Sequence, residues 1–132
     1  MRQKNILAAM IGGGLMLTAT AATAENWQPF FIIPNGVIML DRDSVTRTRG
    51  HVSARLESTY PQPQRINRNG RIYTYEKAVD RVDIDCAAQV YKNVSRDLYG
   101  DGVQALSLNE ADNPMVVTPN TPQAAVSTAF CR

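Results

Sequence analysis

The stretch IYTYEKAVDRVDIDC, from Ile72 to Cys86, alternates in polarity through its second half. Ala78, Val82, Ile84 and Cys86 fall on even positions, with Asp80 the exception, while Arg81, Asp83 and Asp85 fall on odd ones. A period of two belongs to a strand with one face on a core and the other in water. Cys86 then points to the core side, where a disulfide can tie another element against the sheet. Upstream, Val52, Ala54 and Leu56 alternate with Ser53, Arg55 and Glu57, so Val52 to Tyr60 predicts a second half-buried strand. Between the two, Pro61 to Gly70 carries two prolines, two asparagines and a glycine and reads as a long loop.

Other elements follow outward from this pair. Trp27 to Ile33 is aromatic and β-branched, a strand that Pro29 assigns to a sheet edge. Pro34-Asn35-Gly36 marks a turn, and Val37 to Leu40 a further strand whose extended run continues through Val45 towards Arg47. Arg49-Gly50 and Gly100-Asp101-Gly102 are turn signals, and Val103 to Leu108 is a strand. Gln89 to Tyr99 carries two signals: Val90, Val94 and Leu98 at helical spacing, and a β-branched content that suits a strand. A hairpin after Cys86 favours the strand. Asn109 to Pro114 reads as a polar loop and Met115 to Thr118 as a short extended piece. Near the end, Asn120 or Thr121 can cap a helix that Pro122 opens, with Ala125, Val126, Ala129 and Phe130 on one stripe. The expected fold is α+β: a meandering antiparallel β-sheet with a C-terminal helix, about Pro122 to Cys131, packed on it.

Residues 1–24 read as a signal peptide. Arg2 and Lys4 precede an uncharged apolar run, Ile6 to Leu17, and Ala22-Thr23-Ala24 supplies the small residues that a signal peptidase accepts. The run is only marginally long enough to span a bilayer and is interrupted by Gly12, Gly13 and Gly14. Cleavage before Glu25 leaves residues 25–132 as a single domain, a usual size for one, with no stable membrane anchor. The sequence counts 14 basic and 12 acidic residues; removal of Arg2 and Lys4 brings the two into balance. A nucleic-acid binder carries a clear basic excess, so that class of partner is not expected.

An exported chain meets oxidising conditions, so its two cysteines, Cys86 and Cys131, predict one structural disulfide. Closing a loop of about 46 residues stabilises a fold by roughly 4 kcal/mol in the chain-entropy picture. The spacing is not that of a redox C-x-x-C pair. Two cysteines and the sole histidine, His51, fall short of a zinc ligand set. No metal site and no cofactor are expected.

The order of features resembles the surface-adhesin protein E family of Gram-negative envelope proteins. The matching elements are Trp27, Leu40-Asp41-Arg42-Asp43-Ser44-Val45-Thr46-Arg47, and the strand ending at Tyr60. They continue with the Tyr73 region leading to Asp85-Cys86, Tyr99 with Gly100 and Gly102, Val117-Thr118-Pro119, and the closing Phe130-Cys131. The resemblance implies a small antiparallel sheet with a helix disulfide-linked to it, and an envelope or cell-surface role in adhesion to host proteins. Two features depart from it. No cysteine near the cut offers a site for a lipid anchor, which favours the periplasm, and Pro114-Met115 stands where the family often has tryptophan.

Little in the chain predicts catalysis. No G-x-S-x-G, Walker loop or H-E-x-x-H occurs. Asp83 and Asp85 share a strand face, as the solvent side of a sheet commonly does; an enzyme would require a cleft gathering them with His51. The suggestive chemistry is basic and aromatic. Arg65, Arg68 and Arg71 lie in or beside the long segment after Pro61, bracketed by Tyr60, Tyr73 and Tyr75. Arginine beside tyrosine is the chemistry of protein-recognition hot spots and of anion binding. Arg42, Arg47, Arg49 and Arg55 would extend this patch if the first hairpin packed nearby. The expectation is a non-catalytic exported module, periplasmic, secreted or on the cell surface, that binds a protein or an anionic glycan through this segment. The alternative is a periplasmic structural or accessory protein of the envelope, with a homodimer through an exposed sheet edge as one form of it.

Overall fold

The computed structural model describes residues 25–109 and 113–132. The expected signal peptide, residues 1–24, lies outside the described residues, as do positions 110–112 of the expected polar loop.

Among the described residues the chain forms seven strands and one helix: β1 (Trp27–Ile33), β2 (Gly36–Thr48), β3 (His51–Arg68), β4 (Arg71–Asp85), β5 (Val90–Gly100), β6 (Val103–Asn109), β7 (Met115–Val116) and α1 (Pro122–Phe130). The first six pair antiparallel in chain order, β1 to β6, and the short β7 pairs with the start of β5. β1 is an edge strand, where the missing N–H of Pro29 costs no ladder bond.

Alternation sets the core face. Val52, Ala54 and Leu56 of β3 lie opposite Ile84, Val82 and Asp80 of β4, and direct antiparallel partners share a face. Ile38 and Leu40 from β2 continue the face, and Val126 of α1, fully buried, seals it. The helix is nine residues long, too short to be stable alone in water. The Thr121 hydroxyl accepts from the Ala124 amide at 3.1 Å, Pro122 opens the first turn, and the Cys86–Cys131 disulfide fastens its far end with a Cα separation of 5.5 Å.

One of the sequence expectations changes, and one ambiguity is settled on the favoured side. The segment read as a long loop is strand: β3 runs on to Arg68 and re-pairs with β4 from Gln64↔Tyr75 to Arg68↔Arg71. Pro61 and Pro63 fall inside the register break between Thr59 and Gln64, where no ladder donor is needed. The ambiguous segment after Cys86 is a strand. Its helix-like spacing has a local cause: pairing jumps from Arg81↔Ser95 to Val82↔Asn93, so Val94 is the extra residue of a bulge.

Three hairpins close on a residue followed by glycine, both with positive φ, as the tight primed turns require. They are Arg49-Gly50 (φ 52° and 80°), Asn69-Gly70 (54° and 81°) and Asp101-Gly102 (52° and 74°).

Candidate functional site

The distal end of the β3–β4 hairpin forms an arm. β2 leaves the side of β3 at Val37↔Thr59, and β5 leaves the side of β4 at Lys77↔Tyr99. From Gln64 to Tyr75 the hairpin is therefore a two-stranded ribbon outside both flanking ladders. Its base is buttressed where the end of β5 crosses Thr74: a Cβ on Gly100 would lie 2.6 Å from the Thr74 carbonyl oxygen, so only glycine fits.

The arm carries Arg65, Arg68, Arg71, Tyr73 and Tyr75 of the expected binding segment, divided between two faces, while Tyr60 lies at its base in the register break. Arg68↔Arg71, Ile66↔Tyr73 and Gln64↔Tyr75 share one face, while Arg65↔Thr74 and Asn67↔Ile72 share the other. The Arg71 guanidinium lies 5.3 Å from the centre of the Tyr73 ring, a cation–π contact. Tyr60 and Tyr75 meet edge to face with ring centres 6.1 Å apart. Burial raises the Tyr75 phenol above its ordinary value, and Tyr60 adds to the shift. Arg65, Arg68 and Arg71 are exposed, and Ile72 is 59% exposed on the face that carries Arg65.

The other arginines considered for the patch lie elsewhere. Arg55, in the first third of β3, bonds the buried Asp41 carboxylate (Nη1 to Oδ2, 3.2 Å), reaches Glu25 at 2.8 Å and stacks over Trp27 at 5.1 Å. Arg47 and Arg49 sit at the His51 end of β3, separated from the arm by roughly 50 Å of strand at the usual rise. Asp41 and Asp43 belong to the bulge of β2. The Asp41 carboxylate accepts from the Asn26 and Asp43 amides at 3.0 and 3.2 Å, which explains a buried acid without a ligand.

His51, Asp83 and Asp85 do come together. His51 Nδ1 lies 2.9 Å from Asp83 Oδ1 and Nε2 4.0 Å from Asp85 Oδ2, beside a shallow pocket of about 280 Å³ that Tyr91, Lys92 and Pro114 also line. The contact is a cross-strand one, since His51 pairs with Asp85. The hydrogen bond to Asp83 is the main cause that raises the His51 pKa above 6.5. The imidazole is half exposed, and no serine, threonine or cysteine lines the pocket among the described residues. The cluster is a surface histidine whose protonated form the neighbouring acids favour.

These features define a helix-stapled antiparallel sheet whose cationic and aromatic groups are presented on a projecting ribbon. The chain belongs to the surface-adhesin protein E family, whose model matches residues 27–132. Membership suggests a non-enzymatic protein that is exported or at the cell surface and binds other proteins. No protein with a curated description matches the sequence. Among solved structures, the selenomethionine form of protein E from Haemophilus influenzae is similar, with a TM-score of 0.55 and 13% identity over 81% of this chain and 93% of that one. At that identity the likeness carries the fold alone: a mostly antiparallel sheet with one C-terminal helix. Among the described residues no helix is long and apolar enough to cross a membrane.

Proposed function

We propose that this chain, after removal of residues 1–24, is a single-domain, non-catalytic adhesin-like module that captures a protein partner through the β3–β4 arm. The observation that carries the reading is the ribbon itself. From Gln64 to Tyr75 it stands outside both flanking ladders, with Arg71 stacked on Tyr73 and Arg65 and Ile72 on the reverse side. Tyrosine and arginine dominate binding energy at protein interfaces because each presents a large, stiff surface that also hydrogen-bonds. An anionic glycan, the other ligand class, is served by cations gathered on one surface. Here Arg65 is turned away from Arg68 and Arg71, which favours a protein.

The test is capture by an immobilised extracellular-matrix protein extract. A variant carrying Arg65→Gln, Arg68→Gln and Arg71→Gln should lose at least tenfold in capture, about the worth of one good hot spot. Capture at the parental level removes the arm from the reading. Elution of both forms from heparin at the same salt concentration would confirm that the arm is not a glycan site. Protease accessibility in intact cells separates surface display from a periplasmic accessory role, for which the open edge of β1, with Ile32 82% exposed, is the supporting feature.

A further inference from the structure

At the opposite end of the sheet from the arm, a cleft of about 630 Å³ opens between the β2–β3 turn, the Cys86–Cys131 disulfide and the end of α1. Arg47, Arg49 and Arg132 line it. Arg47 pairs with Val52, so it lies on the helix-covered face, directed to the same side as the cleft. Among the described residues the lining contains no aspartate or glutamate, and none of the three arginines has a carboxylate partner. The neighbouring acids are occupied on the outer face: Asp83 by His51, and Asp85 by the amides of Ala87 and Ala88 at 3.1 and 3.0 Å.

The backbone gives a second, independent sign. Three hairpins use the same left-handed pair of positions. Two of them place Asn69 and Asp101 first, the residue types that suit it. The third places Arg49 there, with φ 52°. Arginine has no local reason to occupy a left-handed turn, and such exceptions concentrate at functional positions. At this turn Arg49 is one of the residues that line the cleft. Against the three arginines stand the negative pole of α1, about half a charge, and the main-chain carboxylate of Arg132, so the cleft keeps a net positive charge.

We infer that this cleft binds an acidic saccharide, a short sugar chain bearing carboxylate, sulfate or phosphate groups. The guanidinium fork matches these oxyanions with two parallel hydrogen bonds. The volume is that of a small-molecule site and well beyond a lone ion. Thr128 offers a partner for a hydroxyl group, and Phe130 a surface for the apolar face of a sugar ring, while Gln89 is held in the wall by its bonds to the Cys86 carbonyl and the Ser127 hydroxyl. An acidic peptide is disfavoured, because the walls are a turn, a helix end and a disulfide, with no free strand edge for a peptide backbone to pair with.

Isothermal titration of the full chain, purified oxidised, tests this at low and high salt. The probes are a heparin-derived tetrasaccharide, a phosphorylated glucosamine disaccharide, a neutral tetrasaccharide, hexaglutamate and inorganic sulfate. One or both acidic saccharides should bind and weaken with salt, and whichever binds more tightly indicates a host or an envelope source. The diagnostic variant is Arg49→Asn, which improves the turn while removing the guanidinium, so its melting temperature should hold or rise while saccharide affinity falls about tenfold. Arg65→Gln and Arg71→Gln on the arm should leave saccharide binding unchanged, which separates this site from the arm. Undiminished affinity in Arg49→Asn, equal binding of hexaglutamate, sulfate or the neutral sugar, or binding of no saccharide at all would overturn the inference.

Discussion

Arg96 grips Asp80 directly across the β4–β5 ladder with two hydrogen bonds, Nε to Oδ1 at 2.7 Å and Nη2 to Oδ2 at 3.0 Å. The pair lies on the helix side of the sheet, with the Asp80 side chain 12% exposed and that of Arg96 31%. It explains the one acid that interrupts the apolar face of β4. Burial acts against the charged guanidinium, and the hydrogen bond and charge of Asp80 more than offset it, so the Arg96 pKa is raised.

Removing one partner is therefore worse than removing both. Asp80→Asn should cost about 2 kcal/mol in urea unfolding, because it leaves a half-buried cation with weaker bonds. The double replacement Asp80→Leu with Arg96→Met should cost less than Asp80→Asn alone. A double-mutant cycle that shows no coupling would refute the pairing as a source of stability.

The disulfide should contribute about 4 kcal/mol for its sequence separation of 45 residues, in the chain-entropy account. Reduction, or Cys131→Ser, should lower the melting temperature and raise amide exchange first across residues 122–130, because a nine-residue helix does not persist unaided. Uniform loss of protection over the whole sheet would contradict the view that the bond acts chiefly on the helix.

Arg55 ties β1 to the sheet through Asp41, Glu25 and Trp27. Arg55→Ala should destabilise by about 2 kcal/mol, mostly from the unbalanced Asp41 carboxylate, which is 5% exposed. Trp27 is the chain's single tryptophan, so its fluorescence reports the change in the native baseline without labelling.

His51 should titrate above its ordinary value of 6.5 because the imidazolium is hydrogen-bonded by Asp83. A raised folded-state pKa means that the associated stability is fully present below 6.5 and fades as pH rises through the folded value. Proton NMR of the imidazole in Asp83→Asn should show the pKa moved down. Asp85→Asn, at the longer distance, should move it less.

The fold was legible where side chains alternate. Val52, Ala54 and Leu56 against Ser53, Arg55 and Glu57, and the matching run before Cys86, are set by burial on one face, and burial is written directly into polarity. The helix cap and the disulfide were legible for a similar reason, since Thr121-Pro122 and a single pair of cysteines act locally or without alternatives. The strand beyond Thr59 was not legible. Pro61 and Pro63 signal the end of a ladder, and they do end it, but the pairing resumes at Gln64 after a bulge whose length no local rule supplies. The candidate site shared that fate. Arg65, Arg68, Arg71 and the tyrosines were recognisable by type, whereas their division between two faces depends on the resumed register. The meeting of His51 with Asp83 and Asp85 depends on cross-strand pairing, and the cleft around Arg47, Arg49 and Arg132 brings together segments far apart in the chain.

The crosslink between Cys86 and Cys131 also has a mechanical meaning for a molecule of an adhesin family. Under a pull applied at the two ends of the chain, everything between the cysteines is bypassed. The 45 residues so shielded, including β5 and β6, represent roughly 150 Å of contour that tension cannot draw out while the bond is intact. The shielded portion holds α1, whose end walls the cleft, so the cleft keeps its helix wall under load. The arm, between Gln64 and Tyr75, lies on the unshielded side with β1 and β2, in the part of the chain that the same tension can still draw out.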